Sequence, residues 1–418
     1  MRLLLAVLLL ASHCIAQTPE AMIQKILASP KYKAATTFIE SDHDRFVREL
    51  IELTEIPAPP FKEKARAQAY LEKLRQLGLS DVEGDPEGNV MGLRKGTGGA
   101  PMLAVLAHLD TVFPAGTNVK VKREGTILRA PGVGDDTRGL ALMLQVIRAL
   151  DAAKFQTLSD ILFVGNVGEE GEGDLRGVKY LLSKGKYKDR IKLFFSIDGG
   201  EQDQITNGGV GSKRYRVVFT GPGGHSYGAF GLVNPAFAMG AAISKFSKLT
   251  VPDKPKTTFN VGMVNGGTSV NSIPFEVSMD VDLRSESRDE LNKLTDKFHG
   301  ILFEAVEEEN KARSTTQGKI KVEAKLIGDR PNGETAVDSP FMKIVAAAVS
   351  AFDLVPNYRI SSTDANIPIS MGIPAATIGR GKGGRQHSLD EWVDVEKKSS
   401  VQAAQVALVM FLAIAGTP

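Results

Sequence analysis

Hydrophobic and polar positions recur along this chain with two periods, and the switches between them divide it. Val47, Leu50, Ile51 and Thr54 share one helical face. Ser41 with Asp44 three residues on predicts the cap of that helix, and Pro57-Ala58-Pro59-Pro60 its stop. Residues 18–41 are mixed and partly helical, and 63–77 form a second amphipathic helix closed by Gly78. Short strands at 80–83 and 90–94 flank a turn. The largely apolar runs at 102–106, 161–167 and 193–197 predict strands buried on both faces of a sheet. A hairpin arm at 123–129 and a helix at 140–150 lie between them. From 213 onward the pattern becomes half-exposed alternation: strands at 213–220, 257–264, 275–284 and 319–326, and helices at 235–249 and 288–313. The order β-α-β-β-α-β is that of a ferredoxin-like unit. The chain then returns with a helix at 339–352, a strand at 375–378, a glycine-rich loop at 379–387 and a closing helix at 397–415. The apolar run 406–415 is too short to cross a bilayer and predicts a core helix.

This pattern predicts an α/β fold, a mixed sheet with helices on both faces, carrying an inserted α+β domain of ferredoxin-like order. The expected divisions are a signal peptide at 1–16, a first catalytic part at 17–211, a lid or dimerisation domain at 212–327 and a second catalytic part at 328–418. A chain of 418 residues is too long for one core. Its net charge of +2 argues against a nucleic-acid partner and against attraction to a membrane surface. Met1-Arg2, the apolar run 3–11 and Cys14-Ile15-Ala16 have the form of a secretory signal peptide cleaved after Ala16. A lipid anchor at Cys14 fits less well, with His13 before it. Cleavage would export the chain to the periplasm or the extracellular space, leave no membrane attachment and remove the only cysteine.

Three predicted buried strands end in an acid or a histidine. The first leads into His108-Leu109-Asp110, the second into Gly168-Glu169-Glu170, the third into Asp198. Sites in open α/β sheets lie at the carboxyl ends of strands. Alternation sends His108 and Asp110 to the same side. A lone His-x-Asp reads most simply as a core histidine satisfied by its own aspartate, and Glu169-Glu170 as an acidic helix start. Together with Asp135 in its glycine loop and His387 in another, they read as a metal site: His108, Asp135, Glu170, Asp198 and His387. Imidazoles and carboxylates without thiolates suit zinc, with manganese or cobalt as substitutes. Five ligands serve two ions if one carboxylate bridges. Of the paired acids, one would bind metal and its neighbour act as general base.

The chain resembles the M20 family of co-catalytic dizinc metallopeptidases. The stretches that carry the resemblance are Ala107-His108-Leu109-Asp110, Gly134-Asp135-Asp136, Gly168-Glu169-Glu170, Ile197-Asp198-Gly199, Gly223-Gly224-His225-Ser226, Asn271-Ser272-Ile273-Pro274, Asp282-Leu283-Arg284 and Gln386-His387-Ser388. The resemblance implies a zinc-exopeptidase type of fold and two Zn2+ per chain. Asp135 would bridge the ions, with a cis bond to Asp136. His108 and His387 would serve one ion each, and Glu170 and Asp198 would complete the two sites. Glu169 would be the base for a hydroxide held between the metals, and Asp110 would steer a ligand imidazole. The resemblance also implies a homodimer through the inserted domain, with His225 reaching the partner's site to hold an oxyanion. Asn271 and Arg284 would hold substrate, although Arg284 paired with Asp280 or Asp282 is an equal alternative. Two positions depart from the family pattern. Thr137-Arg138 stands where a lysine is frequent, and Asp198 stands where other branches have glutamate. Aspartate there resembles the tripeptide-aminopeptidase and dipeptidase branch. The expected activity is therefore an exported aminopeptidase or dipeptidase acting on small peptides. The alternatives are an N-acyl-amino-acid amidohydrolase or carboxypeptidase and, more remotely, an inactive dimeric binding protein.

Overall fold

The computed structural model describes residues 17–98 and 100–418. The expected signal peptide, with Cys14, lies outside the described residues. The main sheet is nine-stranded. Its centre is parallel: Ile161–Asn166, Met102–His108, Ile191–Gly199 and Ala375–Gly379 lie side by side in that order. Val90–Arg94 joins one edge antiparallel to Ile161–Asn166 and Ser80–Gly84 pairs antiparallel with it outside, while Gln204–Gly209 leads to the other edge, so the sheet is mixed.

The strand Met102–His108 explains why the apolar run has no polar alternation. Leu103, Val105 and Ala107 pack into one core, and Met102, Ala104 and Leu106 into a second on the opposite face. The first core is covered by the helices Pro19–Leu27, Pro30–Thr54, Lys64–Arg75, Thr137–Ala152, Pro340–Ser350 and Lys397–Ala415. The second is covered mainly by Arg176–Ser183 and Asn366–Ser370. Each helix buries an apolar stripe against the sheet, the dominant favourable term in holding these layers together. The closing helix Lys397–Ala415 is long and apolar enough to cross a membrane by composition, but 72% of its most apolar window is buried inside the fold, as a core helix would be.

A second sheet has four antiparallel strands in the order Thr257–Gly266, Glu276–Ser285, Gly211–Thr220 and Lys321–Arg330. The helices Pro235–Phe246 and Arg288–Ala312 pack on it around their own core, which includes Val217, Phe219, Phe246, Leu283 and Phe298. The connectivity is the ferredoxin-like one expected from the alternation.

Local expectations change at Ser41 and at two unforeseen strands, whereas the expected hairpin arm is present. Ser41 does not start a helix. The helix Pro30–Thr54 begins at Ser29, whose hydroxyl accepts the Tyr32 N–H at 3.1 Å, with Pro30 in the first turn. Nothing from 31 to 41 breaks it, and the Ser41 hydroxyl donates back to the Phe38 carbonyl at 2.8 Å. The arm at 123–129 is a hairpin of two three-residue strands, Lys122–Glu124 and Ile127–Arg129, around Gly125. Two strands, Gln204–Gly209 and Asn357–Ser361, were not expected. They pair with one another in parallel but carry Gln, Thr, Asn and Gly where an apolar run would signal a strand.

Candidate metal centre

The parallel strands end together, and their termini build the site. His108 is the last residue of its strand and is fully buried. Its Nδ1 lies 3.0 Å from the backbone oxygen of Asp110. A carbonyl oxygen only accepts, so Nδ1 carries a proton and Nε2 is the nitrogen turned towards the carboxylates. Nε2 faces Asp135 Oδ1 at 3.1 Å and Asp198 Oδ1 at 3.8 Å. On the far side of Asp135, its other oxygen, Oδ2, lies 3.3 Å from His387 Nε2, which is itself 2.9 Å from Glu170 Oε1. One carboxylate thus presents one oxygen to each histidine. All five expected ligand residues converge, from five separate stretches of chain. The peptide bond Asp135–Asp136 is cis.

The loop carrying Asp135 is held from below. Glu391 accepts the N–H groups of Gly132 at 2.9 Å, Gly134 at 2.7 Å and Asp135 at 2.8 Å. Thr137 is buried and donates its hydroxyl to the Gly132 carbonyl at 2.6 Å. Arg138 donates to the carbonyls of Lys382 at 2.6 Å and Asp394 at 2.9 Å, tying the Asp135 loop to the glycine-rich loop before His387. The departure from lysine therefore leaves a braced loop. Gly139 is required for this closeness, since a Cβ there would sit 2.3 Å from the Ile197 carbonyl oxygen and 2.4 Å from Asp136 Oδ1. His387 adopts a left-handed φ of +62°. That conformation costs a non-glycine residue roughly 1–2 kcal/mol and recurs at functional sites.

Asp110 stands beside the His108 imidazole, its Oδ1 3.7 Å from Nδ1. Its backbone oxygen orients the His108 imidazole, while its carboxylate accepts the N–H of Glu169 at 3.0 Å and of Glu170 at 2.8 Å. Burial pushes this carboxyl up, but His108 and these two N–H groups bring it below its ordinary value. The carboxylate of Asp110 thus fixes the backbone of both glutamates.

Charge is concentrated here. Burial raises Asp135, but Arg380, His108 and His387 outweigh it and hold the carboxyl well below its usual range. Burial lifts Glu169 well above the ordinary value, with Arg330 opposing and Glu170 adding to the rise. His387 is pushed up to about 10 by its hydrogen bonds to Asp135 and Glu170. Deeper still, burial lifts Asp364 to about 7, and its Oδ2 accepts from Asn166 at 2.7 Å. Two imidazoles facing carboxylates, with no thiolate and with the first imidazole's orientation already set, fit a pair of borderline divalent cations. His108, Asp135 and Glu170 form one compact donor group, and His108, Asp136 and Asp198 a second.

A cleft of about 670 Å³ opens over this centre, lined among others by Glu169, Glu170, Arg214, Arg284 and Arg330. Arg284 lies in the cleft wall, its Nε 2.6 Å from Asp282 Oδ2, so both readings of that residue have a basis. His225 and Asn271 are not among the residues lining the cleft. His225 sits on a two-residue strand paired with Ser272–Ile273, exposed, its Nδ1 accepting the Gly228 N–H at 3.2 Å. The sequence reading missed Glu391, Arg330, Arg380 and Asp364. The only cue was for Glu391, an acid four residues after His387.

Residues 104–412 match the family described as Peptidase family M20/M25/M40. The uncharacterised protein YqjE of Bacillus subtilis is 25% identical over 87% of this chain and 97% of its own length. Carboxypeptidase G2 of a Pseudomonas species is 26% identical over 53% of this chain and 54% of its own. Among solved structures, the aminopeptidase PepT of Bacillus cereus superposes with a TM-score of 0.71 at 21% identity, covering 90% of this chain and 99% of PepT. A tripeptidase of Staphylococcus aureus gives 0.72 at 23% identity, covering 89% and 98%. With the family match spanning most of the chain, this protein is a hydrolase belonging to peptidase family M20/M25/M40.

Proposed function

We propose that this protein is an exported dizinc exopeptidase that removes residues from small peptides, as an aminopeptidase or dipeptidase. The observation that carries the reading is the division of the Asp135 carboxylate between His108 and His387, with Glu169 buried beside it. His108, Asp135 and Asp198 would hold one ion, and His387, Asp135 and Glu170 the other. Bound there, the ions would acidify water and polarise the scissile carbonyl. Glu169 lines the cleft, and Asp110 and Arg330 fix its position. It would take the proton from the attacking water and return it to the departing amine. Arg284 would meet a substrate carboxylate in the cleft wall.

Aspartate at 198 supports the aminopeptidase and dipeptidase branch. The sequence similarity to carboxypeptidase G2 and to succinyl-diaminopimelate desuccinylase of Corynebacterium glutamicum favours a second reading, hydrolysis of N-acyl amino acids or of a C-terminal peptide bond. A panel of free and N-acylated dipeptides, assayed on protein of measured zinc content, separates the two. Cleavage of the free set supports the first, and turnover of the acylated set alone would replace it. Glu169→Gln should lose about 10²–10⁴-fold in kcat with metal content unchanged.

We also propose a homodimer through the inserted domain, with His225 acting in the partner's cleft. In support, Tyr227 and Phe230 stand beside His225 at 89% and 91% exposure. Sedimentation as a monomer at micromolar concentration would remove this part of the reading. Export after cleavage at Ala16 would be checked by N-terminal sequencing of the protein recovered outside the cytoplasm.

A further inference from the structure

Arg380 brings a guanidinium into the metal centre from the residue just after the strand Ala375–Gly379. The side chain is 5% exposed. Its Nη1 contacts Asp198 Oδ1 and lies 3.1 Å from Asp136 Oδ1 and 3.5 Å from Asp135 Oδ1. Two of these atoms, Asp135 Oδ1 and Asp198 Oδ1, are the same oxygens that face His108 Nε2. Among the described residues, the ion pairs of Arg380 are confined to these three aspartates, and none reaches His387 or Glu170. The cation therefore serves one half of the centre.

The backbone around Arg380 is fixed. The N–H groups of Arg380 and Gly381 both donate to the Gly200 carbonyl at 3.0 Å. Arg138 holds the Lys382 carbonyl, and its guanidinium packs so closely on Gly381 that a Cβ there would lie 2.4 Å from it. Movement of Arg380 is left to its side chain, which has a way out because it also lines the cleft.

One buried and two largely buried carboxylates facing one guanidinium form a cluster whose charge is already partly compensated, and breaking such a pair is costly unless another cation replaces it. We propose that Arg380 makes the two metal positions unequal: it competes for the oxygens beside His108, so that an ion there must displace the guanidinium, whereas the His387–Glu170 half loads without competition. The protein would bind a first ion tightly and a second one conditionally, with Arg380 as the built-in occupant of the second position when metal is scarce. This rests on the reading of the centre as a two-metal site.

The test is titration of the chelator-stripped full-length protein with Co2+ alone, followed by calorimetry and by the visible absorption of the bound ion. Wild type should take up two ions in separate steps. Arg380→Met, of similar length but without charge, should tighten the second step about tenfold or more and leave the first unchanged. Arg380→Lys, which keeps the charge, should stay near wild type, and Arg380→Gln provides a second neutral variant should Met not fold. The metal-free form of the neutral variants should also melt below wild type, because three carboxylates lose their counter-ion, while the loaded form should not. Two indistinguishable steps in wild type, or neutral variants whose second step does not tighten, would overturn the inference and leave the two-metal reading standing. Failure of wild type to bind any Co2+ would overturn both.

Discussion

Arg330 reaches Glu169 across the junction of the two sheets: its Nη1 lies 3.1 Å from Glu169 Oε1, and a second nitrogen meets the Glu169 carbonyl. Arg330 is the last residue of the outer strand of the four-stranded sheet, and Ser362 steadies it at 3.0 Å. The expected base is therefore aimed by a cation at the end of a strand of the four-stranded sheet. Two further oxygens of that reach, Asp174 Oδ1 and Oδ2, accept the Asp329 N–H at 3.1 Å and fix the strand end. Arg330→Met should lower kcat by about 10²-fold, an effect in the range of a misplaced reacting group, with KM little changed. Arg330→Lys should restore part of it. Steady-state kinetics on the preferred dipeptide decide the matter. A loss confined to KM would mean that Arg330 binds substrate and does not position Glu169.

Glu391 supports the opposite side of the centre. Its carboxylate takes three backbone N–H groups of the loop that presents Asp135, and burial lifts its pKa to about 7. Glu391→Gln retains one acceptor oxygen and adds a donor that faces N–H groups. The loop should loosen, and metal affinity should fall by about 10–100-fold, the usual effect of removing a group that orients a ligand. Competition with a fluorescent chelator measures it. Unchanged affinity would show that the loop holds its shape without this acid.

What the sequence made legible follows from the range over which each signal acts. The buried strands and the ligand-bearing turns are local: an apolar run with a terminal acid or histidine marks His108, Glu170 and Asp198, and a glycine-rich loop marks Asp135 and His387. Ser41 was misread because a local cap pattern was weighed without the stronger Ser29-Pro30 start twelve residues earlier. Gln204–Gly209 was missed because a strand in the sheet interior that carries polar residues satisfies them through partners such as the Thr335 carbonyl, which accepts from the Asn207 side-chain amide at 3.1 Å and which no local pattern announces. Arg330, Arg380 and Glu391 matter only through contacts with residues more than 150 positions away. A lone arginine in a loop carries no sign of the carboxylates it will meet.

Removal of metal should destabilise the fold measurably. Without cations, Asp135, Asp136, Glu170 and Asp198 depend on Arg380 and two protonated imidazoles for compensation. Any ion that binds only the folded state stabilises it, by about 2.7 kcal/mol at a hundred times its Kd. Dialysis against a chelator should lower Tm, and added Zn2+ should restore it along with activity. A Tm indifferent to the chelator, in protein that analysis shows to have lost its metal, would mean that the cluster is compensated by its own side chains.

His43 supplies a pH dependence remote from the metal. It lies on the helix Pro30–Thr54, with Nε2 3.1 Å from the Val395 carbonyl, and so ties that helix to the segment before the closing one. Burial lowers its pKa below the ordinary 6.5, with the Val395 bond and Asp44 partly opposing and Lys397 adding to the fall. The unfolded chain therefore binds a proton here before the folded one does. The contribution of His43 is complete above pH 6.5 and is lost as pH falls from there to the folded-state value. Asp364 and Glu391, both lifted to about 7, act in the opposite sense, since each costs stability as pH rises towards that value. Wild-type stability alone cannot separate these trends, but a difference between variants can. His43→Gln keeps a donor for Val395 and removes the titration. Urea midpoints of the two proteins at pH 7.5 and pH 5 should show wild type losing more stability than the variant on acidification, by up to about 1.4 kcal/mol per unit of pKa difference. Parallel losses in the two proteins would place the acid sensitivity of the fold elsewhere than at His43.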